Sequence, residues 1–243
     1  MNDINELPEY TSGNYPSFGK KYNGEKAVIS LTSWTLRINT VSKTLYSLIQ
    51  QCPDFHIVLV LAEEEFPKMT AELPENLMLF VENELIELMF VRKNYRSFKK
   101  ILFTMDKYRE VPIISADDGC FYVKNYAQEL YDEWTKFPLC IISEYNAGTN
   151  GFRWGGGGHG LLFPPYRFLN RGIYDLTDDI IKTNHDDAYY GVLAKRLNIN
   201  FHFIHKRHEN PKTHINIDSN GLTADHLFKN SDCLKIKEEI LSL

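Results

Sequence analysis

Residues 111–119 read VPIISADDG, a short apolar run that ends in two acidic residues and a glycine. The run Val111–Ala116 has the length and the β-branched content of a strand that is buried on both faces. Two runs of the same kind come earlier in the chain, AVISLT at Ala27–Thr32 and HIVLVLA at His56–Ala62. The chain therefore contains several buried strands, and one of them ends in an acidic pair.

Stretches with apolar residues at helical spacing separate the predicted strands. We predict helices at 38–50, 97–108, 125–137 and 186–197, and further strands at 86–91, 138–143 and 200–205. This alternation favours an α/β fold with a mostly parallel sheet flanked by helices. We interpret residues 1–243 as one domain. A change of composition near residue 145 separates a nucleotide-binding half, at about 25–145, from a substrate-binding half, at about 146–243.

The composition excludes several classes of protein. Of the 243 residues, 43% are hydrophobic and 24% are charged, as in globular domains, which argues against a disordered or collagen-like chain. The 27 Lys and Arg residues and the 32 Asp and Glu residues give a net charge of −5. Nucleic-acid-binding domains usually carry a basic excess, so we expect no nucleic-acid partner.

The sequence lacks the signals of a secreted or membrane-spanning protein. Its four cysteines are far apart and show no paired spacing, which favours reduced thiols. The N-terminus, MNDINELPEY, has neither the basic nor the apolar region of a signal peptide. The longest aliphatic run, Ile57–Ala62, is far shorter than the roughly 20 residues of a membrane span. We therefore expect a cytoplasmic protein.

The acidic pair Asp117-Asp118 stands where a buried strand ends. Ligands of open α/β sheets bind at the carboxyl ends of strands. Adjacent carboxylates repel each other unless a cation lies near them, and oxygen ligands suit Mg²⁺ or Mn²⁺. One interpretation is a metal site that also binds phosphates. The other is a simple turn, because Asp-Asp-Gly is common in loops after strands.

A second acidic pair, Asp186-Asp187, precedes a predicted helix. Acidic residues at this place can simply stabilise the helix N-terminus. Together with the first pair, however, they supply what a displacement on an activated sugar or phosphate requires. One carboxylate site holds a metal at the leaving group, and the other accepts the proton of the nucleophile. Asp186 and Asp187 are therefore candidate catalytic bases.

Two further features suit a phosphate-bearing ligand. Arg96, Lys99 and Lys100 lie at the start of a predicted helix, where backbone N–H groups and cations attract phosphate, although a solvated helix face is the alternative. The run Gly155–Gly160 is interpreted as a loop that lines a substrate cleft. It lacks the preceding strand and following helix that a dinucleotide-binding fingerprint needs.

Six strings of the sequence, taken in order, resemble a family of bacterial glycosyltransferases of the GT-A type. They cover about residues 27–200 and are VISLTSW at 28–34 with Arg37 after it, LAEEEFP at 61–67, SFKK at 97–100, ISADDG at 114–119, GLLFPP at 160–165 and HDDAYY at 185–190. The resemblance implies a Rossmann-like half that binds a nucleotide-sugar donor and a smaller part that binds the acceptor.

The resemblance also implies roles for individual residues. Asp117 and Asp118 match the DxD motif, which holds Mn²⁺ or Mg²⁺ against the diphosphate. The later pair Asp186-Asp187 matches the region that supplies the catalytic base or acceptor contacts. The family usually has a third acid where Gly119 stands, so this metal site has one carboxylate fewer. The donor-binding residues implied are Thr32, Ser33, Trp34, Arg37, Lys99, Lys100 and Asp117.

We therefore expect a glycosyltransferase that moves a sugar from a nucleoside-diphosphate sugar to a hydroxyl of a glycan or lipid-linked acceptor. By association with the family, its product belongs to surface polysaccharide or lipopolysaccharide biosynthesis, and a lipid-linked acceptor would bring it to the inner face of the cell membrane. Two alternatives stay open. One is a nucleotide-sugar-binding protein without activity, which Gly119 keeps in view. The other is a metal-dependent phosphohydrolase with Asp117 as nucleophile.

Overall fold

The computed structural model describes residues 15–149, 152–156, 160–165, 176–204 and 214–216. Short 3-10 turns stand at Met69–Glu72 and Arg96–Phe98. In chain order the helices and strands are β1 (Ser17–Gly19), β2 (Ala27–Thr32), α1 (Val41–Ile49), β3 (Phe55–Ala62), α2 (Glu75–Glu82), β4 (Glu87–Val91), α3 (Lys99–Lys107), β5 (Ile113–Ser115), β6 (Cys120–Tyr122), α4 (Tyr126–Lys136), β7 (Ile141–Ser143), β8 (Asn146–Thr149), β9 (Phe152–Gly155), β10 (Leu161–Phe163), α5 (Asp178–Thr183), α6 (Asp186–Arg196), β11 (Phe201–Phe203) and β12 (His214–Asn216).

Eight strands form the main sheet, in the order β1-β4-β3-β2-β5-β10-β7-β11. Strands β2, β3, β4 and β5 pair in parallel, as do β7 and β11. Strands β1 and β10 run antiparallel to their neighbours. Two small antiparallel pairs, β6 with β12 and β8 with β9, stand apart from it. The predicted α/β fold with a mostly parallel sheet is confirmed.

The central strands form where the sequence patterns predict them, because each is a continuous apolar run. The patterns miss β1 and β10, which have three residues each and offer no period to detect. Strand β10 is the one that joins β5 to β7. The single-domain interpretation, with its division near residue 145, stays a prediction, and much of 146–243 lies outside the described residues.

The sheet separates two apolar layers. Along β3, Ile57, Leu59 and Leu61 pack with α1, α2 and α4, whereas Val58 and Val60 pack on the opposite face with α3, α5 and α6. Alternate residues of a strand point to opposite faces, so helices on both faces require an apolar residue at every position. This is the reason that the run at β3 is apolar without interruption.

Strand order reverses between β2 and β5. From β2 the chain continues outward through β3 and β4 on one side, and β5 then returns to the other side of β2. The carboxyl ends of β2, β5, β7 and β11 all lie at one edge of the sheet, which we call the carboxyl edge, because these strands point the same way. A reversal of this kind opens a crevice at the carboxyl edge, where open α/β sheets bind ligands.

The structure bears on two expectations, reduced thiols and the absence of a membrane span. Cys52, Cys120 and Cys140 form no disulfide bond, and Cys120 is buried. Cys233 lies outside the described residues. In the described part of the chain, no helix has the length and apolar character needed to cross a membrane.

The opposite edge of the sheet holds a buried polar network. Glu87, the first residue of β4, accepts hydrogen bonds from Tyr108, from Lys107 and from His56 Nε2, the last at 2.8 Å. Burial alone would raise the pKa of Glu87, but these hydrogen bonds lower it to about 2. The carboxylate is therefore fully paired and stabilises the amino ends of β3 and β4.

The pairing of Glu87 predicts a pH-dependent loss of stability. Glu87→Leu leaves buried donors without an acceptor, and we expect it to lower the free energy of unfolding by about 3–5 kcal/mol at pH 7. Because the folded-state pKa is lowered, the stabilisation is present above the ordinary value of 4.5 and is lost as the pH falls towards 2. Urea unfolding at pH 7 and pH 3 should show the difference between the two proteins narrowing at pH 3.

The exposed Glu82, at the end of α2, provides the matched control. Glu82→Leu should change the free energy of unfolding by less than about 0.5 kcal/mol at both pH values. A Glu87→Leu defect of equal size at pH 7 and pH 3 would contradict the role assigned to the ionised carboxylate.

Candidate functional site

The acidic pair of β5 and the residues after β2 meet at the strand reversal. Ser33 Oγ donates a hydrogen bond to Asp118 Oδ2 at 2.7 Å, and Arg37 Nη1 donates to Asp118 Oδ1 at 2.6 Å. Thr44 Oγ1, from α1, donates to the backbone carbonyl of Asp118 at 2.8 Å. The structure thus brings Asp118 together with Ser33 and Arg37, although more than 80 residues separate Asp118 from each of them in sequence.

Asp118 is held inside this group. Its side chain is 9% exposed, and both of its carboxylate oxygens accept hydrogen bonds. Burial raises the pKa of Asp118, and the neighbouring Arg37 and Ser33 oppose that shift. Asp118 therefore joins the end of β5 to the segment after β2, which is a positioning role.

Gly119 gives Arg37 the space that this ion pair requires. A Cβ at residue 119 would lie 3.2 Å from Arg37 Nη1 and 3.3 Å from its Cζ. A longer side chain at residue 119 would press on the guanidinium and weaken its contact with Asp118. The absence of a side chain at residue 119 therefore suits the contact between Arg37 and Asp118.

Lys100 connects the two predicted acidic pairs. Its Nζ lies 2.7 Å from Asp117 Oδ1 and 3.1 Å from Asp186 Oδ2. The Lys100 side chain is 4% exposed, and the backbone carbonyl of Lys100 accepts a hydrogen bond from Ser30 of β2. The start of α3, the end of β5 and the start of α6 therefore converge on one ammonium group.

Lys100 carries its charge throughout the physiological pH range. Burial alone would lower its pKa, but the carboxylates of Asp117, Asp186 and Asp187 raise it well above the usual value. Three acidic residues surround this one lysine, so the group as a whole has a surplus of negative charge.

The remaining predicted donor-binding residues are placed differently. Lys99 is buried, and its Nζ lies 3.2 Å from Glu65 Oε2 and 3.0 Å from Asn94 Oδ1. Burial lowers the pKa of Lys99, and Glu65 opposes the shift. Thr32 Oγ1 donates to the carbonyl of Val60 at 2.7 Å, inside the sheet. Their roles in donor binding stay predictions.

Trp34 and the exposed part of Asp117 face a more open region. Trp34 is half-buried directly after Ser33. The Asp117 side chain is 36% exposed, and the Asp117 N–H donates to the Tyr122 hydroxyl at 2.7 Å. Asp187 is half-buried at the first turn of α6, whereas its neighbour Asp186 is buried. Each acidic pair thus has one enclosed member and one more accessible member.

Asp117 and Asp118 do not fit a divalent cation that both would hold. The Asp118 oxygens are occupied by Ser33 and Arg37, and the Arg37 guanidinium lies beside Gly119, where a third ligand would stand. Within the residues described, no three His, Cys, Asp or Glu side chains are grouped to hold a metal ion. Binding of Mn²⁺ or Mg²⁺ therefore stays a prediction, with Asp117 as the accessible carboxylate.

No protein-family model matches the chain, and no curated protein matches it. Among solved structures, the chain is similar to S. aureus TarS, at 12% identity and a TM-score of 0.38, over 52% of this chain and 23% of that one. It is similar to the structure of S. aureus TarS 1–349 at 14% identity and a TM-score of 0.37, over 52% of this chain and 37% of that one. It is similar to the glycosyltransferase GlyE of Streptococcus pneumoniae TIGR4 at 13% identity and a TM-score of 0.42, over 74% of this chain and 46% of that one. The chain spans less than half the length of each, and likenesses of this size assign it no family.

The sequence reasoning missed one acidic residue at the carboxyl edge. Glu144 follows β7 directly, and it is fully buried. The signal was present in the sequence, because Ile141-Ile142-Ser143 before Glu144 repeats the Ile113-Ile114-Ser115 that precedes the first acidic pair. In the glycine-rich run, Gly157, Gly158 and His159 lie outside the described residues.

The coupling between Lys100 and Asp186 can be measured directly. Lys100→Met leaves carboxylates without their buried cation, and we expect it to lower the free energy of unfolding by about 3–5 kcal/mol. The double variant Lys100→Met/Asp186→Asn should recover part of the loss, because one uncompensated charge is gone. Urea unfolding at pH 7.5 measures both variants and the single Asp186→Asn variant.

Lys43 is an exposed lysine of α1 and serves as the control, because Lys43→Met should change the free energy of unfolding by less than about 0.5 kcal/mol. Strictly additive losses in the Lys100→Met/Asp186→Asn double variant would contradict the contact between the two side chains.

Proposed function

We propose that the protein is a glycosyltransferase that uses a nucleoside-diphosphate sugar as donor. The observation that carries the proposal is the contact of Lys100 with both Asp117 and Asp186 at the carboxyl edge. Asp117 follows β5 and Asp186 begins α6, and the two carboxylates have separate roles in the proposed sugar transfer. A buried cation that holds them side by side at a strand reversal supports a single reaction site.

The donor nucleotide is proposed to lie over the ends of β2 and β5. Trp34 is half-buried there and presents an aromatic surface to a base, and Arg37 is held in place by Asp118. Arg37 keeps 17% of its side chain exposed, which leaves part of the guanidinium available to a phosphate oxygen. Fixing the guanidinium in advance lowers the entropy lost when the donor binds.

The transfer step needs a base for the acceptor hydroxyl. The hydroxyl oxygen forms a bond with the anomeric carbon, the bond from that carbon to the diphosphate breaks, and the hydroxyl proton passes to a carboxylate. Asp187 is half-buried, whereas Asp186 is buried against Lys100. We therefore assign Asp187 as the base in an inverting reaction and Asp186 as the residue that positions it.

The acceptor and the setting of the reaction follow from the family resemblance. The proposed acceptor is a hydroxyl of a glycan or of a lipid-linked saccharide, in surface polysaccharide or lipopolysaccharide biosynthesis. The proposed place is the cytoplasm, at the inner face of the cell membrane when the acceptor is lipid-linked.

The base assignment predicts different outcomes for two neighbouring carboxylates. With UDP- and GDP-sugars and a panel of saccharide acceptors, we expect release of the nucleoside diphosphate, and Asp187→Asn should reduce turnover by about 10²–10⁴-fold. Asp186→Asn should reduce turnover less. Neither change should weaken donor binding by more than about threefold, since the lost interaction belongs to the reaction step.

Three outcomes would contradict the proposal in different ways. Full turnover in both Asp187→Asn and Asp186→Asn would remove the base assignment. Donor binding without turnover on any acceptor would favour the non-catalytic alternative. Phosphate release from simple phosphomonoesters would favour the phosphohydrolase alternative.

The divalent cation has its own test. We expect Mn²⁺ to increase the affinity for UDP or GDP, and Asp117→Ala to abolish that increase, because Asp117 has the accessible carboxylate. Asp118→Ala should instead lower the melting temperature, since it removes the buried carboxylate that Ser33 and Arg37 contact. Thermal-shift titrations with Mn²⁺ and with EDTA measure both effects. Equal affinity in Mn²⁺ and in EDTA would remove the metal from the proposal.

A further inference from the structure

Glu144 stands at the carboxyl edge in a position comparable with that of the first acidic pair. Leu161 of β10 pairs with Ser115 of β5 on one side and with Ser143 of β7 on the other. Adjacent strands lie about 4.8 Å apart, so the ends of β5 and β7 are roughly 10 Å from each other. Glu144 and Asp117 therefore follow two strands that are separated by β10 alone.

The carboxyl group of Glu144 has no partner among the described residues. Its side chain is fully buried, and neither Oε1 nor Oε2 has a hydrogen-bond partner there. A buried polar group without a partner lowers stability, and a native protein that retains one usually needs it for a ligand or a reaction. Asp118, Lys99 and Lys100 at the same edge are all paired, so Glu144 differs from its surroundings.

The neighbouring polar groups are already occupied. Tyr126 of α4 lies near Glu144, but its hydroxyl donates to the carbonyl of Ser115. Glu129, on the same helix, makes no hydrogen bond with Glu144, and its charge raises the pKa of Glu144. His202 of β11, the strand on the other side of β7, contacts Glu133 Oε1 at 2.8 Å. The residues of β10 carry no titratable group.

Two glycines, Gly156 and Gly160, contact the backbone of Glu144 and of the next residue, Tyr145. The Glu144 N–H donates to the Gly160 carbonyl at 3.4 Å, and the Gly156 N–H donates to the Tyr145 carbonyl at 3.4 Å. Both distances are at the long limit for a hydrogen bond, so these contacts are weak. Because glycine has no side chain, a small polar group can approach the backbone closely at these two positions.

We propose that Glu144 binds a hydroxyl group of the sugar that the donor carries. This inference rests on the proposed function and adds a residue that selects the sugar. A protonated carboxyl group donates one hydrogen bond and accepts another, which matches the donor and acceptor of a hydroxyl. A diphosphate near Asp117 would place the attached sugar over the end of β10, between Asp117 and Glu144.

The protonation state of Glu144 fits this role and supplies a test. Burial, with a smaller contribution from Glu129, raises the pKa of Glu144 to about 8. At neutral pH the group is therefore uncharged and does not repel the negative donor. As the pH rises through about 8, the hydroxyl loses its donor partner, and the diphosphate meets an added negative charge.

The test compares a nucleotide with its sugar-bearing form by calorimetry. The probes are UDP and GDP, and UDP-glucose, UDP-N-acetylglucosamine and GDP-mannose. We expect Glu144→Leu to weaken binding of the preferred nucleotide sugar by about 3–10-fold and to leave the matching nucleotide unchanged, as for a lost hydrogen bond. In the wild type this sugar-dependent advantage should decrease between pH 7 and pH 9, and in Glu144→Gln it should be independent of pH.

Stability separates this role from a structural one. Because the folded-state pKa of Glu144 is raised, the wild type loses stability as the pH rises from the ordinary value of 4.5 to about 8. The melting temperature of Glu144→Gln, relative to that of the wild type, should therefore rise as the pH increases over this range. A structural role predicts the opposite, a lower melting temperature in both variants. Glu144→Gln has nearly the same shape as the native residue and keeps the test open if Glu144→Leu folds poorly.

Glu129→Gln is the matched control, because it removes the neighbouring charge and leaves Glu144 in place. It should move the pH dependence of sugar binding to lower pH without reducing the affinity at pH 7. An unchanged ratio of sugar-nucleotide to nucleotide affinity in Glu144→Leu would overturn this inference and leave the proposed function standing. Failure of every nucleotide to bind would overturn both.

Discussion

The arrangement at the carboxyl edge depends on one buried ammonium group. Lys100 Nζ contacts Asp117 after β5 and Asp186 at the start of α6, and the Lys100 backbone carbonyl is bonded to Ser30 of β2. Three elements that are distant in sequence are thereby fixed relative to one another. Removing the charge would leave carboxylates that cannot all stay ionised in a space with so little water. The site geometry and the local stability therefore have the same cause.

Each acidic pair divides into an enclosed and an accessible carboxylate. Asp118 is bonded to Ser33 and Arg37, whereas the Asp117 side chain is 36% exposed. Asp186 is buried, and Asp187 is half-buried. Adjacent side chains project in different directions from the backbone, so one residue of a pair can anchor the site while the other meets a ligand. Two adjacent acids of this kind therefore indicate one ligand-facing group, and in the first pair Asp117 is the member for which metal binding stays a prediction.

The sequence predicts the central sheet well because a strand buried on both faces must be apolar throughout, as in β2 and β3. It also predicts the acids at the strand ends, because these residues follow directly after the apolar runs in the sequence. The partners of those acids are not local: Arg37 lies 81 residues from Asp118, and only the completed fold selects it. Strand β10 is missed because three residues show no period. Glu144 is missed because a single acid after a strand is ordinary until its burial is known.

Glu87 and Glu144 are buried carboxyl groups at opposite ends of the strands, and their surroundings have opposite effects on their pKa. At the amino ends of the strands, Glu87 receives hydrogen bonds from His56, Lys107 and Tyr108, which lower its pKa to about 2. At the carboxyl edge, burial without a partner raises the pKa of Glu144 to about 8. A carboxyl group that the protein itself satisfies contributes to folding, and it has little capacity left for a ligand. One that is left unsatisfied opposes folding and keeps its hydrogen-bonding capacity for a ligand. Glu87 therefore contributes to folding, whereas Glu144 keeps the hydrogen-bonding capacity that the proposed contact with a sugar requires.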